Sequence, residues 1–177
     1  MRSLTVAIVA VGLLGTSTAG AQDNRGSGKA VVDAFATFCL ENNASLEAIA
    51  ARADVSSGWT ATAFPSDIST KDRDFMRAWT SSIDGFKFEL FLARYPTFKK
   101  MGSVCLLRAV GPENFYPYFD HFKDRMKAAG LGGKEVNIPH LYRASGKLAD
   151  GRQANAILNT RTPMANSKIY TTLNIQF

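Results

Sequence analysis

The first residues of the chain constrain its fold most, because they decide the compartment in which it folds. Arg2 precedes an apolar run of eleven residues, Leu4 to Leu14, and small residues follow as far as Ala19-Gly20-Ala21. A basic residue, a short apolar core and an A-x-A pattern are typical of a secretory signal peptide. A membrane anchor would need about 20 apolar residues. We therefore expect cleavage after Ala21 and export to the periplasm or the medium.

The mature chain is expected to be one domain behind a short leader. Residues 1–21 are the predicted signal peptide, residues 22–28 form a polar leader that we expect to be disordered, and residues 29–177 suit a single domain with its own core. The sequence after the leader holds no second apolar segment of spanning length. We expect no transmembrane segment in the mature chain.

The two cysteines lie in contexts that bring both side chains to the core. Cys39 falls on the apolar stripe of a predicted helix over residues 29–42, and Cys105 lies in a short apolar run between Gly102 and Gly111 that predicts a buried strand. In an exported protein with two cysteines, a disulfide between them is the expected outcome. Two free thiols, a metal site and a catalytic thiol are weaker alternatives, and we expect no metal.

The remaining patterns predict helices, about four strands, another helix and three final strands. Ser45 is a good N-cap for a second helix, and Asp84-Gly85 joins two strand-like runs as a hairpin turn. A third amphipathic helix should begin near Phe115 and end at Gly130. The predicted fold is α+β, with a mostly antiparallel sheet of about six or seven strands and two or three helices packed on one face. The final strands are predicted within residues 140–147, 152–162 and 168–177.

Histidine offers the main route to catalysis in this chain. His121 lies at the boundary of the third helix's apolar stripe, one turn from Arg125, while the adjacent Asp120 points elsewhere. His140 follows a proline at a predicted strand start, where a polar structural role is usual. A hydrolase that pairs either histidine with Ser or Asp from another strand is one alternative. No familiar catalytic motif accompanies them, so we favour a non-enzymatic protein and expect no cofactor.

Four aromatic residues are weaker candidates for a binding surface. Tyr116 projects off the helical stripe, Tyr118 lies at its edge, and Trp59 and Trp79 fall in predicted strands where burial is the simpler interpretation. The aromatic helix could also line a pocket for a small apolar ligand. The last strand would offer its backbone to a partner, or to a second copy, if it lies at a sheet edge.

The distribution of charge along the sequence argues against a nucleic-acid site. The chain carries a net charge of +6, and loss of Arg2 with the signal peptide leaves 20 basic against 15 acidic residues. The basic residues are scattered among acidic ones, whereas a nucleic-acid site would need a tighter basic stripe. Our leading hypothesis is a small exported protein that binds another envelope or secreted protein. The alternatives are a carrier of a small apolar ligand and a histidine hydrolase.

Overall fold

The fold is taken from a computed structural model of the chain. It describes residues 25–41, 45–66, 71, 73–83, 86–96, 101–110, 119–132, 134–138, 141–163 and 169–177. The predicted signal peptide, the Asp84-Gly85 turn, the aromatic segment with Tyr116 and Tyr118, and His140 lie outside them.

The described helices follow the predicted apolar stripes. They are α1 (Arg25–Phe35), continued by a π-helical turn (Ala36–Leu40), α2 (Leu46–Val55) and α3 (Phe119–Ala128). Ser45 caps α2 as predicted, since its Oγ accepts a hydrogen bond from the N–H of Ala48 at 3.2 Å. Helix α1 begins four residues before the predicted start, in the segment assigned to the leader. A helix anchored by a buried stripe can extend into a segment of weak propensity.

One antiparallel sheet contains every strand of the described ranges. The strands are β1 (Trp59–Thr62), β2 (Phe75–Ile83), β3 (Phe86–Pro96), β4 (Met101–Val110), β5 (Lys134–Ile138), β6 (Leu141–Lys147), β7 (Gln153–Pro163) and β8 (Ile169–Gln176). Their spatial order is β1-β2-β3-β4-β8-β7-β6-β5, so β1 and β5 form the edges. This confirms the predicted α+β class with a mostly antiparallel sheet. The described ranges contain eight strands, whereas about six or seven were expected.

The core lies between the helices and one face of the sheet. Alternate strand residues belong to the same buried cluster as the stripes of α1, α2 and α3, as the two-residue period of a strand requires. A row of fully buried side chains crosses six strands of this inner face in register, and we call it the central row. Its members, in spatial order, are Trp79, Leu90, Leu107, Leu173, Leu158 and Tyr142.

Both ends of the central row are held by helices. At one end, the indole Nε1 of Trp79 donates a hydrogen bond to Asp54 of α2 at 2.8 Å. At the other end, the ring of Tyr142 lies edge-on to Phe119 and Phe122 of α3, with centroid distances of 5.0 and 5.7 Å. Such aromatic pairs add to the apolar area that they bury. The helices are therefore fixed over the sheet at both sides.

The predicted disulfide is present. Cys39 of the π-helical turn is bonded to Cys105 of β4, with 5.7 Å between their Cα atoms. Cys105 pairs across the sheet with Leu92 on one side and Ile175 on the other, so the bond reaches the middle of the sheet. It ties the N-terminal helical segment to a central strand.

Two glycines allow α3 to end directly against β6. Gly130 has φ +83°, and its N–H and that of Leu131 close the last turn of the helix on the carbonyls of Lys127 and Met126. The carbonyl oxygen of Gly130 then lies so near Gly146 of β6 that a Cβ on Gly146 would be 2.1 Å from it. Only a residue without a side chain permits this approach.

The structure contains one strand that was not predicted, and it does not meet the condition under which the last strand could bind a partner. β5 was missed, because KEVNI is short and carries two charged residues, so its alternation is weak. β8 lies between β4 and β7 rather than at an edge. Its position follows from pairing on both sides, with Leu173 opposite Leu107 and Leu158. A partner or second copy therefore cannot pair with this strand.

Breaking the disulfide should lower the free energy of unfolding by about 4 kcal/mol, because the bond closes a loop of 66 residues in the unfolded chain. Urea unfolding of the oxidised and reduced protein measures the difference. The double variant Cys39→Ala, Cys105→Ala should match the reduced protein. Equal stabilities in the two redox states would contradict the cross-link.

Gly146→Ala should destabilise the protein by about 2–3 kcal/mol, because the new methyl group would meet the Gly130 carbonyl. Gly132→Ala is the matched control, since its Cβ would lie 3.3 Å from the flexible Lys127 side chain and no nearer than 4.0 Å to a backbone atom. Thermal or urea unfolding compares the two variants. A cost for Gly146→Ala no larger than that for Gly132→Ala would disprove the close approach.

Candidate functional site

A cluster of charged side chains joins α1 to α3 and includes one predicted catalytic candidate. Asp33 of α1 contacts the Nε2 of His121 and accepts a hydrogen bond from Nη2 of Arg125, both at 2.8 Å. Lys29, one turn earlier, donates to the other oxygen of Asp33 at 2.6 Å. The arrangement follows from the helices, since His121 and Arg125 are one turn apart on α3 and face α1 together.

The cluster stabilises the charged form of its carboxylate. Burial alone would raise the pKa of Asp33, but hydrogen bonds from Lys29, His121 and Arg125 outweigh it and hold that pKa well below its usual range. The charged form of Asp33 is therefore favoured in the folded protein. An ionised carboxylate that is bonded to both a lysine and an arginine holds these two side chains in position.

Among the described residues, none of the hydrogen-bond partners of His121 is a nucleophile of the kind that a hydrolase needs. Within the described ranges, its hydrogen bond goes to Asp33, and no Ser, Thr or Cys side chain is bonded to the ring. A histidine and an aspartate without a third group supply two of the three parts of a triad. The contact with Asp33 gives His121 a structural role at the junction between α1 and α3. His140 lies outside the described residues.

The outer face of the sheet, turned away from the helices, carries a second distinctive group. Phe91 of β3 is buried there although it points away from the core cluster, and Phe64 packs edge-on against it at 5.7 Å. Leu106 of β4 lies directly opposite Phe91, and the half-buried Met76 and Val104 belong to the adjacent row. We call these side chains, together with Arg108, the outer patch.

Arg108 forms the polar centre of the outer patch. Its side chain is only 4% exposed, its Nε donates to Glu89 on the neighbouring strand, and its guanidinium lies over the Phe91 ring at 5.1 Å. Glu89 and Arg108 are directly opposite in the register of β3 and β4. A buried arginine is stable only when it is paired in this way. The pair therefore fixes the position of Phe91 within the patch.

Two of the four aromatic residues predicted for a binding surface lie within the described residues. Trp79 is 1% exposed and belongs to the central row, in agreement with the burial that the sequence favoured over a surface role. Trp59 is half-buried and packs edge-on against Phe38 of the π-helical turn at 4.9 Å. Tyr116 and Tyr118 lie outside the described residues, and their role stays a prediction.

The sequence analysis did not identify three candidate residues. They are Asp33 of the charged cluster and the pair Glu89 and Arg108 on the outer face of the sheet. One signal was available, since an arginine inside the apolar run of β4 requires a partner. The alternation of β3 placed Glu89 on the face opposite its apolar residues, but only the strand register shows that it meets Arg108. The sequence around Asp33 does not indicate its role, because its partner His121 lies 88 residues away in the chain.

Metal-ligand clusters and membrane-spanning helices are absent from the described residues. Among them, no group of three or more His, Cys, Asp or Glu side chains is placed to hold a metal ion. No helix in the described ranges is long and apolar enough to span a membrane. Comparison of the chain with protein-family models, curated proteins and solved structures finds no match.

Replacing Asp33 tests the charged cluster through its pH dependence. A carboxyl whose pKa is lower in the folded state stabilises the fold above its unfolded pKa of about 4, and this stabilisation is lost as the pH falls toward the folded pKa. Asp33→Asn should therefore cost about 1 kcal/mol at pH 5 and less at pH 2. Asp120→Asn, at a residue 93% exposed whose ion pair with Lys123 spans 3.9 Å, is the control and should cost less than about 0.5 kcal/mol.

Urea unfolding at both pH values measures the two differences in stability. A cost for Asp33→Asn that is the same at pH 2 as at pH 5 would show that the carboxylate charge does not hold α1 to α3.

Proposed function

We propose that this chain is an exported, non-enzymatic protein that binds another envelope or secreted protein through the outer patch. Export is supported by the N-terminal pattern from Arg2 to Ala21 and by a disulfide of the kind that persists in oxidising compartments. The periplasm and the medium both fit these features. The proposal therefore concerns a protein that meets its partner outside the cytoplasm.

The composition of the outer patch is the observation that carries the proposal. Its side chains are phenylalanine, methionine, leucine, valine and arginine, on a sheet face from which the helices are absent in the described ranges. Phenylalanine, methionine and arginine are enriched in protein interfaces, where an apolar centre is surrounded by polar groups. Met76, Val104 and Leu106 are half-buried, so part of this apolar surface reaches solvent.

The patch is also rigid enough to recognise a partner without reorganising. Phe91 is held between Phe64 and the guanidinium of Arg108, and Arg108 is held by Glu89. Ordering of side chains on binding costs free energy, and a preorganised surface avoids much of that cost. The patch residues that lie in strands all project from the same face of the sheet.

The sheet edges are a less favourable place for a partner. β1 has four residues, and a short edge strand offers few backbone groups for strand addition. β5 has five residues at the opposite edge. An edge-strand homodimer stays a prediction, now restricted to these two strands.

Site-specific photo-crosslinking tests the outer patch directly. A photoreactive residue at Leu106 should give one dominant adduct when the tagged protein is irradiated in native envelope and secreted fractions. The matched control is Val55 on α2, which is 84% exposed and lies on the helical side of the molecule.

The additional substitution Met76→Asp should abolish the Leu106 adduct, because a carboxylate cannot be desolvated against an apolar partner surface without a large cost. Circular dichroism checks that this variant remains folded. An adduct at Val55 but not at Leu106, or a Leu106 adduct unaffected by Met76→Asp, would contradict binding through this face.

A further inference from the structure

Strand pairing separates charges that are mixed along the sequence. Within the described ranges, Glu89 is the only acidic residue that a strand places on the outer face, and it is already bonded to the buried Arg108. Three basic residues project from the same face, because they alternate with core residues: Lys87 of β3, and Arg143 and Lys147 of β6. All three are exposed, and none has a carboxylate partner among the described residues. The outer face is therefore basic.

The three basic residues lie around the outer patch rather than within it. One row of the sheet contains, in spatial order, Phe91, Leu106, Asn174, Ile157 and Arg143. Neighbouring strands are about 4.8 Å apart, so Arg143 lies about 14 Å from Leu106 across the sheet. Lys87 lies about 13 Å from Phe91 along β3. We call Lys87, Arg143 and Lys147 the basic rim.

Polar amides occupy the surface between the outer patch and β6. Asn155 and Gln153 of β7 and Gln176 of β8 are exposed, while Ile157 is half-buried. An apolar centre with a polar and charged rim is the usual anatomy of a protein interface. The six strands that are spatially ordered from β2 to β6 span about 24 Å, and about eight residues of each span about 26 Å. This area of about 600 Å² approaches the roughly 800 Å² that each partner buries in a standard complex.

A lipid surface fits this face less well than a protein does. Peripheral binding to a bilayer requires apolar side chains that reach about 5–10 Å into the headgroup region. The apolar side chains of this face that reach solvent, such as Met76, Leu106 and Ile157, are half-buried between their neighbours. Among the described residues, the strongly exposed large apolar side chain is Val55, on the helical side. A protein surface can match such a shallow relief by close packing.

On the basis of the protein binding proposed above, we propose that the partner at the outer face is an acidic protein. Its apolar centre covers the outer patch, and its carboxylates meet Lys87, Arg143 and Lys147. Charges at the rim of an interface mainly speed association and select the partner. A second copy of this chain would bring the same basic rim, and like charges would repel it. The basic rim therefore favours a different protein of opposite charge.

Reversal of charge on the basic rim tests the sign of the partner, with the Leu106 photo-crosslink as the readout. At about 50 mM salt, the double variant Arg143→Glu, Lys147→Glu should reduce the yield of the Leu106 adduct about tenfold, because attraction becomes repulsion. At about 0.5 M salt, where the Debye length is about 4 Å, the variant and the parent protein should give nearly equal yields. Equal yields there also show that the variant is folded.

Lys127→Glu is the control, at an exposed lysine of α3 on the helical side, and it should change the yield less than twofold at about 50 mM salt. Mass spectrometry of the adduct should identify a protein of net negative charge. A partner of net positive charge, or a yield unaffected by the double variant at low salt, would overturn the acidic partner but leave protein binding through the outer patch intact.

Two further results would also overturn the proposal. Absence of any Leu106 adduct would remove both the acidic partner and the protein binding on which it rests. Vesicles of phosphatidylglycerol and phosphatidylcholine provide the second test, because a lipid-binding face would sediment with them. Sedimentation of the parent protein that is lost in the double variant would assign the basic rim to a lipid surface instead.

Discussion

Pairing of β4 with β8 is the contact on which the rest of the structure depends. It joins β1–β4 and β5–β8 into one sheet, and its fully buried residues, such as Leu107 opposite Leu173, lie at the middle of the core. The helices of the two halves also meet over this seam, where Phe35 of α1 and Phe122 of α3 have ring centroids 6.0 Å apart. Separating the halves would expose apolar surface on both sides, and each fully buried leucine contributes about 1.5–3 kcal/mol.

The two halves are related by an approximate two-fold arrangement. Exchanging β1–β4 with β5–β8 leaves the strand order unchanged, and the central row reads aromatic, four leucines, aromatic from either end. The halves differ in how their helices are attached. The first uses a disulfide to β4, and the second uses the backbone approach of Gly130 to Gly146. The inner face of the sheet is thus filled by core packing, and the outer patch lies on the opposite face.

Local periodicity was sufficient to predict much of this fold. Alternation in β3, the cap at Ser45 and the inward positions of Cys39 and Cys105 depend on near neighbours in the chain, and each was confirmed. The order of the sheet depends on pairing between distant segments, so the central position of β8 could not be predicted. For the same reason, the partners of His121 and Arg108 emerged only when helix packing and strand register were known. The candidate sites were therefore far less predictable than the elements that carry them.

Native-state hydrogen exchange across the sheet tests most directly whether the β4–β8 seam makes the halves one unit. Amides of the central strands, including Leu107 and Leu173, should exchange only by global unfolding. Amides at Leu90 of the first half and Leu158 of the second should show that same opening free energy. Exchange of β6 and β7 through a smaller opening, while β2 and β3 remain protected, would show that the halves unfold independently and would contradict the account.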